Sequence, residues 1–188
     1  MKTKYLILII TVPLVVLCDQ LTKLWAAVNL KHLLLENSPV ERFITIIDGF
    51  FRLYYTENPG AAWGLLRNAS SDFRTVFFVG VSLAAIVFIL WYVYKIGTQQ
   101  KLQAFSISLI LGGAVGNLID RIRLGRVIDF IQWYLVVEKP LNLGVVMIEP
   151  GEIYWPTFNI ADVAITIGVI LLIGEMIFRS GSLEEEKK

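Results

Sequence analysis

The sequence has one cysteine, Cys18, and one histidine, His32. A single cysteine excludes an intramolecular disulfide and a thiolate-based zinc site. A single histidine argues against a Ser-His triad or a His-rich metal centre. Net charge is also scarce: 17 basic residues oppose 16 acidic ones, for a formal charge of +1. That balance gives no bulk field to attract nucleic acid, and no nucleic-acid partner is expected. Apolar side chains fill the space instead. They make up 56% of the chain, against roughly 45–50% in a soluble domain.

The excess is concentrated in four runs, at about Tyr5–Trp25, Thr75–Tyr94, Leu102–Ile122 and Ile160–Phe178. Each can form the helix of about 20 residues that a bilayer core requires. The expected fold is an integral membrane α-helical protein with four transmembrane helices, forming a single domain over 1–188. A short polar link, 95–101, joins the second and third runs. The other connections, about 26–74 and 123–159, are long. An even number of spans places both termini on one side and both long connections on the other. Lys2, Lys4, Lys95, Lys101, Arg179, Lys187 and Lys188 crowd the short segments. This density of basic residues puts both termini in the cytoplasm, although the raw count over the longer outer segments does not.

Met1–Cys18 also has the layout of a secretory signal: lysines, an apolar run, then cysteine. Leu17 before Cys18 is not the small residue a cleavage site needs, and the apolar run continues through Leu21, Leu24 and Trp25. The segment is therefore read as a retained span, with Cys18 a buried apolar packer.

Residues 43–56 are rich in β-branched and aromatic side chains around Asp48-Gly49, which predicts short strands. Pro150-Gly151 marks a turn within Val145–Phe158. The long connections thus predict a small extracytoplasmic β-sheet cradle lying on the membrane. Trp63, Trp133, Tyr134, Tyr154 and Trp155 suit an interfacial aromatic belt.

The four-span topology brings the polar residues to one face: Asp19 and Lys23 at the end of the first run, Asn58 in the first long connection, Asn117, Asp120 and Arg121 at the end of the third, Asp129 one short loop later, and Asn159 and Asp162 at the start of the fourth. Ionisable groups at membrane depth are costly and mark functional sites. Each also has a structural reading. Asp19 and Lys23, four apart, can neutralise each other, and Arg121 can snorkel to the interface. Asp129 can be a loop residue paired with Arg126. Asn159 can cap a helix whose third residue is Asp162. Gly112 and Gly116, beside Gly113, predict a close helix–helix approach.

Five segments occur in a distinctive order: Asp19-Gln20-Leu21-Thr22-Lys23; Asn58-Pro59-Gly60-Ala61-Ala62-Trp63-Gly64; Gly112-Gly113-Ala114-Val115-Gly116-Asn117-Leu118-Ile119-Asp120-Arg121; Val127-Ile128-Asp129-Phe130; and Phe158-Asn159-Ile160-Ala161-Asp162. With these the chain resembles the lipoprotein signal peptidases, or signal peptidases II, along most of its length. The resemblance implies an aspartic endopeptidase with Asp129 and Asp162 as the catalytic pair and no metal or other cofactor. It implies supporting or substrate-binding roles for Asp19, Lys23, Asn58, Gly60, Asn117, Arg121 and Asn159. The implied substrate is a prolipoprotein carrying diacylglycerol on a cysteine, cut just before that cysteine in the bacterial cytoplasmic (inner) membrane, with the active site at the extracytoplasmic face. Membrane lipids and globomycin-type inhibitors are the other implied partners, and the expected state is a monomer.

Two features depart from the family pattern. The 136–157 segment is longer than usual and predicts an added hairpin over the site. Pro59 and Trp63-Gly64 stand where Thr and Phe-Ser are commoner. Three rival readings remain at this level. An ion-coupled transporter would place its acids at the bilayer midplane within an internal repeat, and neither is apparent. A magnesium-dependent lipid head-group enzyme would use Asp120, Asp129 and Asp162 as oxygen ligands. A four-helix assembly factor would have no chemistry at all.

Overall fold

The computed structural model describes residues 3–35, 43–60, 69–97, 100–142, 144 and 147–185. Ala61 to Gly64 of the second motif, including Trp63, lie outside these residues, as do Lys2, Val145, Lys187 and Lys188. In chain order the elements are α1 (Thr3–Asn29), a short 3-10 turn (Lys31–Leu35), β1 (Ile44–Ile47), β2 (Phe51–Asn58), α2 (Ser71–Lys95), α3 (Lys101–Leu124), β3 (Val127–Val137), β4 (Leu141–Asn142), β5 (Met147–Ile148), β6 (Gly151–Tyr154) and α4 (Ile160–Glu185). The four α-helices are long and apolar enough to cross a membrane. They cover the four predicted spans, and the chain is a multi-pass membrane protein.

The backbone divides into two compact units. One comprises Met1–Thr22, Asn58–Val127 and Ile160–Lys188; the other comprises Lys23–Glu57 and Ile128–Asn159. In the helical unit α3 is the central helix. Within their most apolar windows, 61% of α3 is buried, against 6% for α2 and 17% for α4. This explains why α3 tolerates Gln103, Ser106 and Ser108, all buried. The two serines return their hydroxyls to carbonyls one turn back, Leu102 O at 2.8 Å and Ala104 O at 2.6 Å, so neither needs water. The ends of the helices are closed locally. Ser70 Oγ accepts the Phe73 N–H to start α2, and Gly125, at φ +70°, ends α3 with its N–H on Arg121 O, where a left-handed residue favours glycine. Lys4 is buried, and its ammonium donates to Val93 O, Tyr94 O and Ile96 O at 2.8, 3.1 and 2.7 Å. It thereby takes carbonyls that the end of α2 leaves without a helical partner.

The predicted helix approach occurs at three separate places. A Cβ on Gly112 would lie 2.7 Å from Val15 Cβ of α1; one on Gly113 would collide with Ala161 O of α4; one on Gly116 would lie 2.5 Å from Asp19 Oδ2. Cys18 does not fit its predicted role. It is exposed, on the same outward apolar surface as Leu14, Leu17 and Leu21. The roughly 100° step between helical neighbours turns it away as Asp19 turns in.

The second unit holds an antiparallel sheet in the order β1-β2-β3-β6, in which β1 and β2 are the short strands that the composition of 43–56 predicted. The β1–β2 turn uses Asp48-Gly49, with Gly49 at φ +71°, and the pairing shifts by one residue between Thr45 and Ile47. β3 pairs with β6 from Tyr134↔Tyr154 to Val137↔Gly151, and β4 with β5 form a small hairpin within the long segment. The predicted hairpin corresponds to this β4–β5 pairing. Tyr134 is buried rather than part of an aromatic belt. Strand alternation sends it to the face opposite exposed Trp133, where its hydroxyl accepts the Gly49 N–H at 3.0 Å. Arg52 fills the same face. Its guanidinium lies 4.4 Å from the ring centroids of both Phe43 and Tyr134, Nε donates to Gln132 Oε1 at 2.7 Å, and NH1 pairs with Glu152 at 2.8 Å.

Candidate active site

The helical unit contains the environment of Asp162. Ile160 opens α4, so Asp162 falls in its first turn, where an acid complements the helix dipole. Asn117 Nδ2 of α3 donates to Asp162 Oδ1 at 2.9 Å. Asn117 is four residues before Arg121, whose NH1 returns to Asn117 O at 3.3 Å. The Arg121 guanidinium faces the Phe78 ring of α2 at 5.9 Å, a cation–π contact near the outer limit of range. The same ring meets the turn after β2. Asn58 Oδ1 accepts the Gly60 N–H at 2.9 Å, and Gly60, at φ +86°, leaves no room for a Cβ against Phe78. A positive φ and a close neighbour together require glycine here.

Asp19 lies in the same unit and is fully buried. Its Oδ1 accepts the Ala161 N–H at 2.9 Å. The local reading of Asn159 as the cap of α4 did not include this acceptor from another helix. Gln20 Nε2 reaches Asp19 Oδ2, Gly116 O and Asp120 Oδ1 at 3.2, 3.2 and 3.1 Å. Gln20 was part of a motif but had no predicted task. The signal was available in its position, as an amide next to a buried acid on an apolar helix.

The sheet unit contains the environment of Asp129, which is buried and sits in strand β3 rather than in a loop. Asn159 Nδ2 donates to Asp129 Oδ1 at 2.7 Å and to Ile128 O at 3.2 Å. Asn159 is itself fully buried. It is brought there by an antiparallel bridge between Ile131 and Phe158. The Phe158 N–H donates to Ile131 O at 3.0 Å, and Phe158 O accepts the Phe130 and Ile131 N–H groups at 3.0 and 2.9 Å. Lys23, the remaining predicted residue of this unit, is buried.

In the helical unit Asp19, Asn117, Asp120 and Asp162 are linked through Gln20, Gly116, Ala161 and one another. In the sheet unit Asp129 and Asn159 are paired. Asp129 and Asp162 each have one carboxylate oxygen held by an asparagine amide from a distant stretch of sequence. Acids bound in this way, Asp129 buried and Asp162 half-buried, are candidates for proton transfer.

A chain that crosses the membrane four times and holds acids in asparagine-lined settings is, by class, a multi-pass membrane enzyme. Its backbone agrees with two solved bacterial membrane enzymes. One is superposed with a TM-score of 0.67 and 28% identity, covering 93% of this chain and 90% of the other. The second gives a TM-score of 0.62 at 28% identity, covering 90% and 91%. The family described as signal peptidase (SPase) II matches residues 11–178. The lipoprotein signal peptidase of Syntrophus aciditrophicus (strain SB) is 41% identical over 177 residues, 94% of this chain and 96% of the relative. That of Desulforapulum autotrophicum is 37% identical over 179 residues, 95% and 96% of the two chains. The chain belongs to the signal peptidase II family. It is a peptidase, and its activity is the hydrolytic removal of signal peptides from prolipoproteins.

Proposed function

We propose that Asp129 and Asp162 act together as an aspartic dyad that cuts a diacylglyceryl-modified prolipoprotein just before its lipid-bearing cysteine. The observation that carries this reading is the matched treatment of the two acids, Asn159 on Asp129 at 2.7 Å and Asn117 on Asp162 at 2.9 Å. Two carboxylates sharing one proton supply a base and an acid at once. The ionised member takes a proton from water, and the hydroxide oxygen bonds to the scissile carbonyl carbon. The protonated member gives its proton to the carbonyl oxygen. As the tetrahedral diol collapses the C–N bond breaks, the amine leaves with a proton from the first acid, and a diol hydroxyl proton returns to the second. The products are a signal peptide with a new carboxylate and a lipoprotein with a free α-amino group on its cysteine.

Arg121 and the Asn58–Gly60 turn are assigned to the substrate: Arg121 for carbonyl or ester oxygens, Gly60 for close backbone approach. The remaining parts of the reading are an extracytoplasmic active site, both termini in the cytoplasm of a bacterium, contacts with membrane lipids, and inhibition by globomycin-type peptides. Reporter fusions at the two termini and at the 95–101 link test the orientation.

The decisive experiment is cleavage of a diacylated prolipoprotein by the wild type, Asp129→Asn and Asp162→Asn in lipid. Both variants should insert and fold yet lose about 10⁴-fold or more in kcat. Full activity in either refutes the dyad. The wild-type rate should be bell-shaped in pH and unaffected by chelators. A rate flat across the carboxylate range, with chemistry limiting, counts against the shared proton.

A further inference from the structure

The start of α4 carries a backbone N–H that its own helix cannot use. In most helices a side chain just before the first turn accepts it. Here the acceptor for Ala161 N–H is Asp19 Oδ1 of α1, 2.9 Å away and 142 residues distant in sequence. A carboxylate in this role gains twice, from a charge-assisted hydrogen bond and from the positive end of the helix dipole.

The rest of the cluster holds that carboxylate still. Gln20 Nε2 ties Asp19 Oδ2 to α3 through Gly116 O and Asp120 Oδ1, all within 3.2 Å. A side chain at Gly116 would take the space of Asp19 Oδ2, and a side chain at Gly113 would take the space of Ala161 O. So α3 makes two adjacent close approaches, one to the capping carboxylate and one to the residue it caps. Asp162 is the next residue, with its side chain held by Asn117.

We propose that Asp19 is a positioning residue for Asp162: its carboxylate caps, from another helix, the turn that carries Asp162, and Gln20 fixes that carboxylate against α3. Asp19 on this account touches neither substrate nor water. The proposal rests on the reading of Asp162 as catalytic.

The test is steady-state cleavage of a diacylated prolipoprotein by enzyme in proteoliposomes, with Asp19→Ala, Asp19→Asn, Gln20→Ala and Asp162→Asn compared. A displacement of about 1 Å in a reacting group can cost roughly 100-fold in rate. Asp19→Ala should therefore lose roughly 100-fold in kcat while KM stays within about twofold. Asp19→Asn keeps an acceptor oxygen at the Ala161 N–H and should stay within about tenfold of wild type. Amide exchange at Ala161 should speed up in Asp19→Ala and stay slow in Asp19→Asn. Gln20→Ala should lose about tenfold in kcat at unchanged KM, and with Asp19→Asn it carries the test if Asp19→Ala does not fold. An unchanged kcat in folded Asp19→Ala overturns the proposal, as does a rise in KM alone, which would make Asp19 a substrate contact. A folded Asp19→Asn as inactive as Asp19→Ala also overturns it, because an acceptor oxygen at the Ala161 N–H would then not be enough to keep Asp162 in place. If Asp162→Asn is active, the dyad itself fails. If it is inactive while Asp19→Ala is fully active, only the cap fails.

Discussion

The two aspartates are held in different ways. Asp162 rides on a helix start gripped by side chains from two other helices, Asp19 of α1 and Asn117 of α3. Asp129 rides on a strand and is gripped by Asn159, which a backbone bridge sets in place. In the helical unit fit depends on close packing, so the tolerances are steric. In the sheet unit it depends on ladder hydrogen bonds and strand register, so the tolerances are set by pairing. The same chemical grip, an amide on a carboxylate oxygen, is thus built once by packing and once by backbone pairing.

The largest effect should come from breaking the packed side. A leucine at Gly113 would drive into Ala161 O and Ile165 Cγ1. Overpacking typically costs about 1–3 kcal/mol, and a collision with backbone belongs at or above the top of that range. Gly113→Leu should lower the thermal midpoint in detergent sharply and abolish cleavage. Gly174, in α4 with nothing near the place of a Cβ, is the control: Gly174→Leu should stay within about 0.5 kcal/mol of wild type. Equal midpoints for the two variants would mean that the approach of α3 to α4 is not tight.

The second comparison sets the two asparagines against each other. Each removes one hydrogen bond to an acid when truncated, and such bonds contribute about 1.5–3 kcal/mol. Asn117→Ala and Asn159→Ala should each lower kcat by about 10- to 100-fold with the fold intact. Asn159→Ala should have the larger effect on local structure, because Asn159 also donates to Ile128 O. Amide exchange across 127–137 should show it. Full turnover in Asn117→Ala would remove that residue from the site.

How much of this was legible beforehand follows from range. The four spans were read from apolar length alone, because a bilayer imposes its thickness on any helix that crosses it. The β1–β2 hairpin was read from Asp48-Gly49 and its flanking residues, a local signal. Cys18 and Tyr134 were misplaced because exposure of one residue depends on which way a helix or strand is turned, and that is settled by partners far away. Asp19 was read as a site residue, with neutralisation of Lys23 four residues on as the alternative that local spacing offers. Its contact with Ala161 spans 142 positions, and no periodicity reports a bond of that kind. Arg52 had no predicted role, since nothing in Phe51-Arg52-Leu53 says that a buried guanidinium will sit between two rings.

Arg52 gives the smallest and most selective test of the comparison. Its ion pair with Glu152 is only partly sequestered, because the glutamate side chain is 47% exposed, so the pair itself contributes little. The larger contributions are the Nε bond to Gln132 and the stacking between Phe43 and Tyr134. A lysine keeps the charge but loses the planar fork and the stacking surface. Arg52→Lys should therefore destabilise the sheet by about 1–2 kcal/mol, seen as faster amide exchange in 51–57 and 128–137, with exchange in α3 and α4 unchanged. If α3 and α4 loosen to the same extent, the two units unfold together, and the distinction between a packed aspartate and a paired one loses its energetic basis.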